Sequence, residues 1–215
     1  MTDDLLVKIV SYITDPVTTT DELIPSGETS SFRSNPLRLA EFTLSRKDPA
    51  YVPNAKAVKA LDDLRKEGTV PMEVENVYRE LKKLGYTPDE EHTNIGSAIF
   101  ANKPGDGSAR EQAASCQRVL GAGANIVAEY ATKRYRSNLI NWGMLPLQLV
   151  GATPFGLGDY VFIPNVREAL KGDLQDIKAY VLGDTAKEFS LYMAPLTADE
   201  RKILADGCLI NFYKH

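Results

Sequence analysis

Short runs rich in Val, Ile and Phe alternate along this chain with amphipathic segments of helical spacing, and that interleaving constrains the fold more than any other feature. Leu5 to Ile13 is a β-branched, apolar run stopped by Thr14-Asp15-Pro16, which reads as a strand closed by a turn. Asn94 to Ala101, Asn125 to Glu129, Tyr160 to Ile163 and Ile177 to Val181 repeat the pattern. Between them lie helical stretches. Pro53 to Glu67 spaces Val58, Leu61 and Leu64 on one face and stops at Gly68, and Pro71 to Leu84 does the same with Val74, Val77, Tyr78, Leu81 and Leu84 before Gly85. Further helices follow Ser108, with Ala113, Ala114, Val119 and Leu120 facing inward, and carry Tyr135, Leu139 and Trp142 up to Gly143. Met144 to Leu147 leaves that helix as extended chain. Thr197-Ala198-Asp199-Glu200 has capping-box form and opens a last helix that Gly207 can close. The expectation is an α/β fold in one domain, residues 1–215, with a helical insert at about 53–85.

At 215 residues, 43% hydrophobic and 25% charged, the chain is long enough to bury a core without disulfides or a structural metal. Cys116 and Cys208 form no CxxC pair, and His92 and His215 are the only histidines, so the composition points to reduced, cytosolic thiols and no zinc site. The acidic start, Met1-Thr2-Asp3-Asp4, puts no basic flank before the apolar run that follows, so a signal or transit peptide is not expected. No run approaches the length of a membrane span. A net charge of -4 argues against a nucleic-acid footprint. The small basic run Lys133-Arg134-Tyr135-Arg136 reads as a solvated helix face with Tyr135 turned inward. A cytoplasmic enzyme, subunit or interaction domain is expected.

Two stretches carry the chemistry. Thr18 to Ser34 is a long polar segment of the kind that holds function. Around Ser108, a strand, a glycine-rich turn and a helix follow one another. Gly105 and Gly107 allow close backbone approach, a helix starting just after Ser108 aims free N–H groups at an anion, and Arg110 adds a two-donor clamp for a carboxylate or phosphate. The plainer reading of the same residues is Ser108 as N-cap of a surface helix.

Gly105-Asp106-Gly107-Ser108-Ala109-Arg110-Glu111, then Glu129-Tyr130, Arg136-Ser137-Asn138-Leu139 and Gly143-Met144-Leu145-Pro146-Leu147-Gln148, resemble the C-terminal swivelling domain of the aconitase and isopropylmalate isomerase superfamily. Upstream, Thr19 to Gly27 resembles that family's Thr-Asp segment, and Phe32-Arg33 falls where aconitases carry a substrate-binding arginine. The resemblance implies a swivelling β/β/α-type domain of the small-subunit kind, closest to an aconitase-like hydratase. It implies Ser108 as the base that, as alkoxide, removes the proton next to a substrate carboxylate. Arg33 and Arg110 would bind substrate carboxylates, and Asp21 would belong to the acidic network.

Ala109 departs from the family, whose members usually have a second serine there, and Asp106 stands where Glu is common. The family's 4Fe-4S cluster is held by three cysteines on other domains or on a separate large subunit. Two distant cysteines cannot supply that set, so this chain is expected to bind no cofactor itself and to be inactive alone. It reads as half of a hydro-lyase site for a hydroxy di- or tricarboxylic acid, a lyase completed by a cluster-bearing large subunit or by N-terminal domains. The start directly in a strand favours a domain of a longer hydratase over a natural small subunit. The alternative is a non-catalytic interaction or regulatory domain of the same fold.

Overall fold

The computed structural model describes residues 1–27 and 29–214. His215 therefore lies outside the described residues. The first third of the chain contains β1 (Asp4–Ile13), β2 (Thr18–Thr19), α1 (Thr20–Leu23), a single 3-10 turn (Ser30–Phe32), α2 (Pro36–Ala40), α3 (Tyr51–Lys66) and α4 (Met72–Lys83). The middle contains β3 (Thr93–Ala101), β4 (Pro104–Asp106), α5 (Arg110–Val119), β5 (Ala122–Val127), α6 (Lys133–Asn141) and β6 (Leu145–Gln148). The last third contains β7 (Tyr160–Ile163), α7 (Val166–Ala169), β8 (Ile177–Leu182), β9 (Lys187–Leu191), α8 (Ala198–Asp206) and α9 (Leu209–Phe212).

Seven strands form one mixed sheet in the order β6-β5-β3-β1-β7-β8-β9. β6, β5, β3 and β1 are parallel neighbours, and β7, β8 and β9 continue antiparallel. The sheet curls until its two ends meet, where Gln148 N donates to Tyr192 O at 2.7 Å and Tyr192 N returns a bond to Gln148 O at 3.0 Å. Joining the ends covers backbone groups that an open edge would leave exposed.

Curling gives the sheet two covered faces. One carries Leu6, Val10 and Ile13 of β1 against α3, α4, α5 and α6, with Tyr51, Val58, Val77, Leu81 and Leu139 in the same cluster. The other holds Leu5, Val7 and Ile9 with Ile126, Leu147, Val161, Phe162's neighbour Ile163, Ala179 and Leu191. Burial on both sides is why the first strand is apolar almost throughout instead of alternating.

Several sequence expectations shift in detail. β5 begins at Ala122, so Gly121-Ala122-Gly123 leads into the strand instead of preceding it, and β5 ends at Val127. In α3 the buried face is Tyr51, Val52, Ala55, Val58, Asp62 and Arg65, whereas Leu64 is 42% exposed. Arg65 is inside because Asp62 accepts from its Nε at 3.2 Å and its Nη2 at 2.6 Å, while Nη1 donates to Tyr78 Oη and Asp89 O. A hydrophobic-spacing argument counts Arg as outward and so selects Leu64. The last helix opens with the expected capping box, Thr197 with Glu200, and closes at Gly207 in the left-handed region. No helix among the described residues is long and apolar enough to cross a membrane.

Candidate active site

The two shortest strands bring the chemistry together. β2 and β4 pair in parallel, Thr18 beside Pro104 and Thr19 beside Asp106. β1 and β3 are parallel neighbours, so the chain leaving β1 toward Asp21 runs beside the chain leaving β3 toward Ser108. Both segments emerge from the C-terminal ends of parallel strands, where open α/β sheets place their ligand crevices.

Two glycines make this approach possible. Gly107 has φ +134°, and a Cβ on it would stand 2.2 Å from Thr20 Oγ1. Gly105 has φ +103°, and a Cβ there would enter the Tyr135 ring at 2.4 Å from Cγ. Tyr135 is fully buried and belongs to a closed ring of hydrogen bonds. Its hydroxyl donates to Asn125 Oδ1 at 2.7 Å and accepts from Gln117 Nε2 at 2.9 Å, while Asn125 Nδ2 donates to Gln117 Oε1 at 2.8 Å. The turn is held from the side as well, with Thr132 Oγ1 donating to Gly105 O and Ala131 N to Pro104 O. A rigid support of this kind fixes the position of Ser108, itself exposed.

α5 starts later than the sequence suggests. Its N-cap is Ala109, not Ser108, and no side chain caps it. The first N–H groups of the helix are therefore free of a side-chain acceptor and point toward the turn that carries Ser108. Arg110 is the first helical residue, and its Nε is buried with no hydrogen-bond partner among the described residues. A cation at a helix N-terminus opposes the macrodipole. Lys133 and Arg134 occupy the same unfavourable place at the start of α6, beside Thr132. Arg110, Lys133 and Arg134 thus place cations at the two helix starts, with Glu111 the acidic neighbour in the first turn of α5.

Asp21 sits in α1, whose start is a capping box in which Glu22 N donates to Thr19 Oγ1 and Thr19 N to Glu22 Oε2. Its Oδ1 accepts from Ser26 N at 3.0 Å and Ser26 Oγ at 2.9 Å, and Arg46 Nη1 lies 3.7 Å from Oδ2. The two bonds from Ser26, with a smaller contribution from Arg46, hold this carboxyl below its usual range. Arg33 ends the 3-10 turn and is exposed. Next to it Phe32 stacks on Phe42 at 5.5 Å and lies under the Arg38 guanidinium at 4.9 Å.

Arg33 and Ala109 line one hollow of about 40 Å³ together with Ser26, Thr29 and Gln112. The structure therefore joins three of the sequence-selected places: Arg33 and Ala109 directly, and Asp21 through Ser26. Ser108 and Arg110 flank Ala109 in the chain. Sequence reasoning includes Thr20 and Ser26 only as part of the Thr19–Gly27 segment and misses Gln112 and Arg46. The Thr19-x-x-Glu22 capping box was a readable sign that Thr20 begins a helix, whereas nothing local singles out Arg46.

No group of three or more His, Cys, Asp or Glu side chains among the described residues could hold a metal ion. Cys116 is buried in α5, its thiol pushed up to about 12 by desolvation, and Cys208 precedes α9. These residues do not fit an iron–sulfur cluster.

Residues 65–151 match the family model of the aconitase C-terminal domain. Over 128 residues the chain is 34% identical to aconitate hydratase A of Mycobacterium avium, an alignment covering 55% of this chain and 13% of that protein. The chain thus corresponds to a small part of that relative's length. The solved 3-isopropylmalate dehydratase (leuD) of Methanocaldococcus jannaschii superposes with a TM-score of 0.60 over 98% of this chain and 93% of its own, at 22% identity. The match over residues 65–151 bears out the resemblance read from the motifs around Ser108, and the superposition bears out the mixed α/β fold.

Proposed function

We propose that this chain, with its aconitase C-terminal match and dehydratase-like fold, is the proton-transferring half of a hydro-lyase acting on a hydroxy di- or tricarboxylic acid. Ser108 is the base. Its Oγ takes the proton from the carbon next to a substrate carboxylate as hydroxide leaves the neighbouring carbon, and returns it in the hydration direction. A serine hydroxyl is a poor base unless its anion is stabilised. The uncapped N–H groups at the start of α5 and the Arg110 charge supply that stabilisation. Arg33 and Arg110 bind substrate carboxylates, and Asp21, braced on Ser26, sets the loop between them.

The observation that carries this reading is the uncapped start of α5, with the unpartnered Arg110 Nε on its first residue, beside the hollow shared by Arg33 and Ala109. The size of that hollow argues for a half-site. At about 40 Å³ it is far below the roughly 300 Å³ at which small-molecule pockets begin, which fits a site whose other wall comes from a second body. In this proposal that body is a large subunit or N-terminal domains carrying a 4Fe-4S cluster.

The test is to assay the pure 215-residue chain and the chain together with its cluster-bearing partner, whether a subunit or a longer polypeptide, on citrate, isocitrate and isopropylmalate. Turnover by the complete protein and none by the chain alone is expected. Turnover by the chain alone would refute the half-site, and absence of turnover in both would leave the interaction-domain alternative standing.

A further inference from the structure

Another cavity lies at the other end of the sheet. It has a volume of about 350 Å³ and opens among Leu5, Asn94, Gly123 and Leu145, at or beside the N-terminal starts of β1, β3, β5 and β6. Ser108 and Asp21 follow the C-terminal ends. The ten residues of β1 rise about 3.3 Å each, which separates the two places by about 30 Å. The cavity is therefore distinct from the site proposed above.

Its wall holds an uncompensated cation. Arg118, in the last turn of α5, gives one hydrogen bond, from Nη1 to Ala122 O at 2.9 Å. No carboxylate among the described residues lies within ion-pair distance of it; Glu91 lines the same cavity but is exposed and makes no salt bridge to it. The α5 C-terminus offers only about half a negative charge. Burial pushes this guanidinium below its usual range, and the one opposing influence is Cys208. Asn94, on the facing strand, makes no side-chain hydrogen bond among the described residues. Leu5, Leu145 and Val166 provide an apolar floor between these polar groups.

We propose that this cavity is a second ligand site that takes a small organic carboxylate. The carboxylate seats on the Arg118 guanidinium with the Asn94 amide as additional donor, and a short apolar body lies against Leu5, Leu145 and Val166. Two free donors on a planar fork match two carboxylate oxygens, and a cavity near the lower end of the small-molecule range limits the ligand to a few carbons.

The experiment is a titration of the isotope-labelled chain with sodium isobutyrate at constant ionic strength, followed through backbone amide shifts. Saturable shifts at Asn94, Gly123 and Leu145 are expected, with affinity at least tenfold weaker in Arg118→Gln, which retains a donor for Ala122 O. Arg33→Gln should leave those shifts unchanged. Absence of saturation at Asn94, Gly123 and Leu145, loss of their shifts in Arg33→Gln, or equal binding by sodium phosphate would overturn the proposal. The wild-type map decides even if Arg118→Gln does not fold.

Discussion

At the scale of single residues, the turn around Ser108 shows how local rules and function conflict. A helix start normally carries Ser, Thr, Asp or Asn as N-cap, and here the position is Ala109. A serine one residue earlier misled the sequence reading, because propensity cannot tell which of two adjacent residues begins the helix. Elsewhere the same rules succeed, as at Thr197 and Glu200. A separate residue-scale consequence concerns His92. Its Nδ1 lies 2.9 Å from Asp89 Oδ2 on the surface, and this hydrogen bond raises the imidazole above its ordinary 6.5 while the same contact lowers Asp89. Because the folded value for His92 is raised, the pair stabilises fully below the unfolded value near 6.5. That contribution disappears as pH rises through the folded value. A proton NMR titration of His92 should give a midpoint above 6.5, and Asp89→Asn should bring it back toward 6.5. An unchanged midpoint in Asp89→Asn would contradict the pairing.

At the scale of elements, long segments were legible and short ones were not. β1, β3, α4 and α8 lie where the sequence puts them, since each carries enough residues for its period to show, and the four-residue β7 is legible because Tyr160-Val161-Phe162-Ile163 is apolar throughout. β2, α1 and β4 have two to four residues, and β9 reads Lys187-Glu188-Phe189-Ser190-Leu191 with little alternation of burial. Such pieces form because a neighbour is waiting, β4 for β2 and β8 for β9, and pairing partners are invisible in a local window. Close packing between elements should make the site turn intolerant of side chains. Gly105→Ala and Gly107→Ala each combine a left-handed backbone with collision against Tyr135 or Thr20, and should cost about 2 to 5 kcal/mol in urea unfolding. A loss below about 0.5 kcal/mol, the scatter of ordinary surface changes, would mean the turn is not clamped. The helical pair α3 and α4 offers a second test through the buried Arg65–Asp62 contact. Asp62→Ala should cost about 3 to 5 kcal/mol by stranding the Arg65 charge, while Asp62→Leu with Arg65→Met should recover most of it.

At the scale of the whole molecule, a curled sheet closed by Gln148 and Tyr192 presents the C-terminal ends of its parallel strands as one face. On that face lie the loops bearing Asp21, Arg33 and Ser108. The convergence of loops nearly ninety residues apart could not be derived from periodicity. It depends on the parallel β1–β3 pairing, which only the topology supplies. The central claim is that Ser108 moves the substrate proton on a site completed by another body. Its most direct test is steady-state kinetics of Ser108→Ala in the complete protein. The expected result is a fall in kcat of about 10² to 10⁴ with KM little changed, as for loss of a general base that contributes little to ground-state binding. A Ser108→Ala protein that turns over its hydroxy acid at the wild-type kcat would contradict the account.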